Sequence, residues 1–116
     1  MNTKIIKIYD DEIIFDNGYK LSSYHDQNCC EHHYLDFEHI DKDDYEKLKF
    51  DLSNDNFFTR IDGYGIQLNA LNNFPLRIPG YGSNNGYYSS NLSLVLIDTD
   101  GNYKNYDVSD CQVISD

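Results

Sequence analysis

Short apolar runs separated by turn residues are the main pattern in the first part of the sequence. Ile5, Ile6, Ile8 and Tyr9 form a first apolar and aromatic run, and an acidic turn at residues 10–12 separates it from a second run at residues 13–15. Asp16-Asn17-Gly18 follows the second run, and Asn-Gly provides the positive φ angles that a two-residue hairpin turn needs. The pattern therefore predicts consecutive β-hairpins at the amino-terminal end.

The second half of the chain repeats the hairpin pattern. Residues 57–61 and 64–68 predict two strands around a turn, and residues 92–97 predict a central strand with both faces buried. This strand should turn at residues 98–101 into a partner strand at residues 103–108. Pro75 and Pro79 remove hydrogen-bond donors, so residues 74–79 are expected at a sheet edge or in an extended loop. The glycine-rich residues 80–88 predict a flexible loop.

The segment between these two sets of predicted hairpins contains one predicted strand and one predicted helix. Leu35 and Phe37 alternate with Asp36 and Glu38, which predicts a strand with a carboxylate-bearing outer face. Residues 41–49 are the best helix candidate, because Asp41 suits the N-cap, and acidic residues precede lysines as the helix dipole prefers. We therefore expect an α+β fold, a mostly antiparallel β-sheet of hairpins with about six to eight strands and one short surface helix. All 116 residues fit a single acidic, β-rich domain, 1–116.

Charge narrows the range of partners. The chain has 9 Lys and Arg against 20 Asp and Glu, a net charge of −11, which repels phosphate backbones and anionic membranes. Direct nucleic-acid and membrane binding are therefore disfavoured, whereas a basic protein surface is attracted. Charged residues interrupt the first apolar run, so it is no signal-peptide core, and three cysteines agree with a reducing compartment. These features predict a cytoplasmic protein, acting inside a host cell.

Carboxylates and tyrosines are the candidate partner-binding groups. If the carboxylates lie on one sheet face and the adjoining helix, they mimic the charge row of a nucleic acid; the simpler interpretation is an ordinary solvated face. Tyrosines favour protein interfaces. The candidate residues are Asp36, Glu38, Asp41, Asp43, Asp44, Glu46, Tyr81, Tyr87 and Tyr88.

Two other kinds of site compete with this interpretation. Arg60 and Arg77 are the only arginines, and with the tyrosine-rich loop they would suit a sequestered nucleotide. A zinc- or thiol-dependent structural domain would use a set of metal ligands: Cys29, Cys30, His32 and Cys111. Adjacent cysteines do not have the spacing of standard zinc fingers, and no oxyanion hole can be named for a cysteine nucleophile. We therefore expect neither an enzyme nor a bound cofactor.

Two segments carry a family resemblance. Residues 24–31, Tyr-His-Asp-Gln-Asn-Cys-Cys-Glu, and residues 85–94, which begin Asn-Gly-Tyr-Tyr-Ser, resemble a family of small uncharacterised bacterial and phage domains. The resemblance implies a shared fold and no catalytic residues. It also suggests a phage source. The function expected from charge and resemblance together is an acidic inhibitor, an anti-CRISPR-like counter-defence factor that docks on a basic nucleic-acid-binding surface of a host protein.

Overall fold

Within the described residues, ten short strands and one helical turn form the fold. The computed structural model describes residues 2–25, 32–38, 40–72, 74–83 and 91–115, with His32, Ile114 and Ser115 described through their backbone. The strands are β1 (Ile5–Ile8), β2 (Glu12–Phe15), β3 (Lys20–Tyr24), β4 (His32–Leu35), β5 (Phe58–Ile61), β6 (Gly65–Leu68), β7 (Leu76–Ser83), β8 (Ser93–Ile97), β9 (Tyr103–Asp107) and β10 (Val113–Ser115). The helix α1 spans Lys42–Tyr45, and a 3₁₀ turn spans Asp55–Phe57.

The first sheet has the strand order β1-β2-β3-β8-β9, with every neighbouring pair antiparallel. The hairpin predicted at Asn17-Gly18 is confirmed, with Gly18 at a φ of 91°, but its loop has three residues rather than two: Phe15 N–H donates to Tyr19 O at 2.9 Å, and Gly18 N–H donates to Phe15 O at 3.0 Å. The turn between β8 and β9 is confirmed as well, with Gly101 at a φ of 86°. Local turn chemistry thus defines the hairpins of this sheet.

The second sheet is built around β7. Strands β5, β6 and β7 form an antiparallel meander, and β4 adds antiparallel to β7. β10 pairs parallel with β7. Because β4 and β10 both pair with residues 81–83, they lie on opposite edges of β7. The predicted mostly antiparallel fold with one short helix is confirmed, although its strands form two sheets rather than one.

The prediction that prolines keep residues 74–79 at an edge or in a loop agrees with the strand pairing: residues 74 and 75 precede β7, and residues 76–79 pair with β6 on one edge only. The other edge of β7 is paired from Gly80 onward, next to Pro79. Successive residues of a strand direct their N–H groups to opposite edges, and Gly80 N–H donates to Tyr64 O on the β6 side. The Pro79 nitrogen therefore faces away from β6, so the ladder between β6 and β7 loses no donor at Pro79.

One core joins the two sheets. Buried side chains of the first sheet, such as Phe15 and Leu94, belong to the same cluster as Ile66 and Ile78 of the second. The connection between β4 and β5 contributes Phe50, which meets Phe15 edge to face at 6.1 Å. Each sheet thus has an inner face in this core and an outer face of its own.

Two further expectations need correction. The helix is only one turn long, and the Asp41 side chain makes no capping hydrogen bond, although Tyr45 and Leu48 are buried as expected. β8 is central in its sheet but only one face is buried, since Val95 and Ile97 are half-exposed. Within the described residues, no helix is long and apolar enough to cross a membrane.

Candidate partner-binding surface

Most carboxylates lie in turns and loops rather than on a sheet face. Of the described acidic residues, only Glu12 and Asp107 belong to strands, each at a strand end. The predicted row of carboxylates on one sheet face is therefore absent from the described residues. The physical reason is that aspartate favours turns, where its side chain accepts a nearby backbone N–H.

Several of these aspartates stabilise the local backbone. Asp51, Asp98 and Asp107 each accept the N–H two residues further on, at 2.9 to 3.0 Å. The Ser109 hydroxyl and N–H lower the pKa of Asp107, and the Thr3 hydroxyl and Lys4 N–H lower the pKa of Asp16. Part of the negative charge is thus explained by turn structure and needs no partner.

Asp36 is the clearest correction among the predicted binding residues. The sequence pattern placed it on the outer face of a strand, but β4 ends at Leu35 and Asp36 is only 7% exposed. Its carboxylate accepts the Glu38 N–H at 3.0 Å, and its own N–H donates to Pro79 O at 2.8 Å. The residue anchors the chain where it leaves the sheet, so it cannot contact a partner.

The other predicted carboxylates differ from these structural aspartates. All five are exposed, and none makes a side-chain hydrogen bond or ion pair within the described part of the chain. Lys42, Lys47 and Lys49 are interspersed with them. We call these five carboxylates the acidic segment: Glu38, Asp41, Asp43, Asp44 and Glu46.

A groove containing an exposed aromatic residue borders the acidic segment. It has a volume of about 340 Å³, and its lining includes Asp43, Asp44 and Lys47 on one side and Phe74 and Pro75 on the other. Phe74 is 82% exposed, the highest value among the large apolar side chains that the structure describes. Sequence analysis missed Phe74 because a phenylalanine beside a strand usually predicts burial; its position between Asn73 and Pro75 was the available signal.

The structure separates the predicted tyrosines from the acidic segment. Tyr81 belongs to β7 rather than to a loop, and its ring lies 5.8 Å from the Tyr34 ring on the outer face of the second sheet. It is 37% exposed. Tyr87 and Tyr88 lie outside the described residues.

The two arginines do not form one site. Pairing places Arg60 opposite Ile66, which in turn pairs with the core residue Ile78, whereas Arg77 is the neighbour of Ile78 along β7. Successive side chains point to opposite faces of a strand, so Arg60 and Arg77 lie on opposite faces of the sheet. Arg60 Nε donates to Asp107 O at 2.7 Å, which connects the two sheets.

The described residues of the proposed zinc or thiol site are few. Cys111 is 1% exposed, and burial raises the pKa of its thiol, so it packs as a small apolar side chain. Cys29, Cys30 and the side chain of His32 lie outside what the structure describes. Among the described residues, no three metal-ligating side chains form a cluster.

A histidine pair lies at one end of the sheets. The ring of His25, which follows β3, lies 4.4 Å from the ring of His33, which is 6% exposed. His33 Nδ1 lies 2.8 Å from Gln112 Oε1, and Gln112 Nε2 donates to Ser109 O at 2.8 Å. The amide orientation makes Gln112 Oε1 the acceptor, so His33 Nδ1 carries the proton. These contacts hold β4 against the segment before β10.

Comparison with known proteins adds no relative: no family model, no curated protein and no solved structure matches the chain. The function is therefore inferred from the geometry of the described residues.

Proposed function

We propose that this chain is an acidic binding protein that docks through the acidic segment and Phe74 on a basic, nucleic-acid-binding surface of a protein partner. By occupying that surface it blocks nucleic-acid binding, as an anti-CRISPR-like counter-defence factor would. The observation that carries the proposal is the concentration of five exposed carboxylates, with no side-chain hydrogen bond or ion pair among the described residues, in one segment beside the exposed ring of Phe74.

The two parts of this surface have different physical roles. Exposed carboxylates raise the association rate with a basic partner and favour one orientation, because their field extends about 10 Å at 0.1 M salt. An exposed aromatic ring gives short-range binding energy once water is excluded from it. Phe74, 82% exposed and beside Asp43 and Asp44 across the groove, supplies such a ring. Together they fit a partner that presents lysines or arginines around an apolar depression.

A matched pair of charge variants tests the proposal. In one variant, Asp43→Asn, Asp44→Asn and Glu46→Gln remove three negative charges from the acidic segment. The control variant, with Asp10→Asn, Asp11→Asn and Asp100→Asn, removes three charges from turns elsewhere, so both variants have the same net charge. All six carboxylates are exposed and make no side-chain contact within the described residues.

The assay has two stages. The wild-type chain first captures partners from bacterial lysate at 0.1 M salt, and the captured protein is then purified and titrated with each variant. We expect the segment variant to bind about tenfold more weakly than the control, a difference of about 1.4 kcal/mol. Phe74→Ser should weaken binding with little change in salt dependence. The purified partner should also lose its nucleic-acid binding when wild-type protein is added.

Other results would reject the docking surface. Equal weakening by both charge variants would mean that overall charge, not this segment, attracts the partner. Unchanged binding at 1 M salt would exclude charge-driven docking, because screening then limits the field to about 3 Å. A partner that keeps its nucleic-acid binding would exclude the blocking function.

A further inference from the structure

A groove lies on the outer face of the first sheet, whereas Phe74 precedes β7 of the second sheet. Its volume is about 500 Å³, within the range of small-ligand sites. Val95 and Ile97 of β8 line it, and both are half-exposed. Tyr24 is 58% exposed and Tyr103 is 67% exposed, and both also line it. We call this cavity the tyrosine groove.

Strand pairing explains how the groove is built. Ser22 of β3 pairs with Val95, and Val95 pairs with Asn105 of β9, so these three side chains form one row across the face. Tyr103 lies in the row of Ile97. Tyr24 lies two residues beyond Ser22 along β3, on the side of the Ser22 row that faces away from Tyr103. The two tyrosines therefore stand at the ends of a diagonal with an aliphatic floor between them.

The charge of the lining limits the ligand. The whole chain has a net charge of −11, yet none of the described residues that line this groove is charged. Glu12, Lys20 and Asp107 occupy neighbouring positions on the same face, outside the lining. An anionic ligand is repelled by the protein as a whole, and a cationic ligand finds no carboxylate in the groove. The lining therefore favours an uncharged ligand.

The area of this sheet face argues against a second copy of the chain as the ligand. Five strands at about 4.8 Å spacing and about 3.3 Å per residue give a face of roughly 300 Å². A stable protein complex buries about 800 Å² on each partner. The distance between the tyrosine positions, two strands across and four residues along, is about 16 Å. This length matches about five residues of polyproline II helix, which rises about 3.1 Å per residue.

We propose that the tyrosine groove binds an uncharged proline-rich peptide segment in the polyproline II conformation. Proline lacks an N–H, so such a segment offers carbonyl acceptors and apolar rings. The Ser22 hydroxyl, the Asn105 amide and the Tyr103 hydroxyl supply donors, and the floor of Val95 and Ile97 accepts the pyrrolidine rings. Aromatic-lined grooves bind proline-rich segments in this way, using a helix that loses little entropy on binding.

The test is an NMR titration of the ¹⁵N-labelled full chain with an acetylated, amidated decaproline peptide. We expect saturable shifts centred on Ser22, Val95 and Asn105, with a dissociation constant on the order of 0.1 mM. Tyr103→Ala should weaken binding about tenfold, because exposed aromatic anchors dominate small interfaces. Asn105→Ala should weaken it less. Tyr34→Ala, on the outer face of the second sheet, is the control and should bind like wild type.

Each alternative outcome overturns the proposal. No shift at millimolar peptide, or shifts unchanged by Tyr103→Ala, would exclude this ligand or this groove. Preferential binding of maltotriose would assign the groove to a neutral saccharide. Self-association at micromolar concentration that Tyr103→Ala abolishes would assign it to a second copy. Tyr103→Ala should leave the fold intact, because the Tyr103 side chain is mostly exposed. An unchanged circular dichroism spectrum will confirm that this variant is folded.

Discussion

Gly80 allows β7 to lie directly against the segment before β10. A Cβ atom at this position would overlap the backbone carbonyl oxygen of Cys111 and would lie 3.3 Å from the Leu35 side chain. The Cys111 carbonyl cannot easily move away, because Cys111 N–H donates to Val108 O at 2.9 Å and Gly63 N–H donates to Asp110 O at 2.9 Å. Gly80→Ala should therefore force two backbone segments apart.

The magnitude follows from these contacts. Inserting a methyl group into a closely packed site costs about 1–3 kcal/mol, and each weakened backbone hydrogen bond costs about 1 kcal/mol. We expect Gly80→Ala to lower the free energy of unfolding by about 3 kcal/mol. For a domain of this size, the thermal unfolding midpoint falls by about 4 °C for each kcal/mol of lost stability, so Gly80→Ala should lower it by about 12 °C.

Thermal and urea unfolding followed by circular dichroism measure this change. Gly101→Ala is the control: Gly101 has a φ of 86° and no atom near an added Cβ, so only backbone strain of about 1 kcal/mol is expected. If no overlap existed at residue 80, the Gly80→Ala protein should be more stable than wild type by about 0.5–1 kcal/mol, because glycine in a strand loses more backbone entropy on folding than alanine. A Gly80→Ala protein as stable as wild type, or more stable, would refute the close approach of these segments.

Two further predictions concern pH. Hydrogen bonds from Thr3 and Lys4 lower the pKa of Asp16, so its contribution to stability is present above its unfolded pKa and is lost as pH falls through the lower folded value. Asp16→Asn should therefore lose less stability than wild type in urea titrations between pH 4 and pH 2; parallel curves would contradict this. Burial and the hydrogen bond to Asp55 raise the pKa of Tyr106 to about 12, so its contribution is present below pH 10 and is lost as pH rises towards 12. Tyr106→Phe keeps the ring against Phe58 and should remove the last phase of the alkaline absorbance titration; a phase that persists would assign that pKa to another tyrosine.

Local sequence determined the hairpins and the kind of fold. Gly18 and Gly101 set turns through backbone angles that few other residues adopt, and the apolar runs beside them became β1, β2, β8 and β9. The acidic composition was equally clear, and the exposed positions of the acidic segment could be predicted from the polar pattern. Such features depend on residues close together in the chain, so the sequence alone is sufficient for them.

Only the tertiary structure decided where these elements meet. β3 pairs with β8, and β4 pairs with β7, across long stretches of chain that no local pattern specifies. Those pairings made β7 central despite Pro79, buried Asp36, and placed Arg60 and Arg77 on opposite faces. They also created the tyrosine groove from three strands and brought Phe74 beside the acidic segment. A surface depends on which distant residues become neighbours, and the turn residues that fix a hairpin carry no information about its partners.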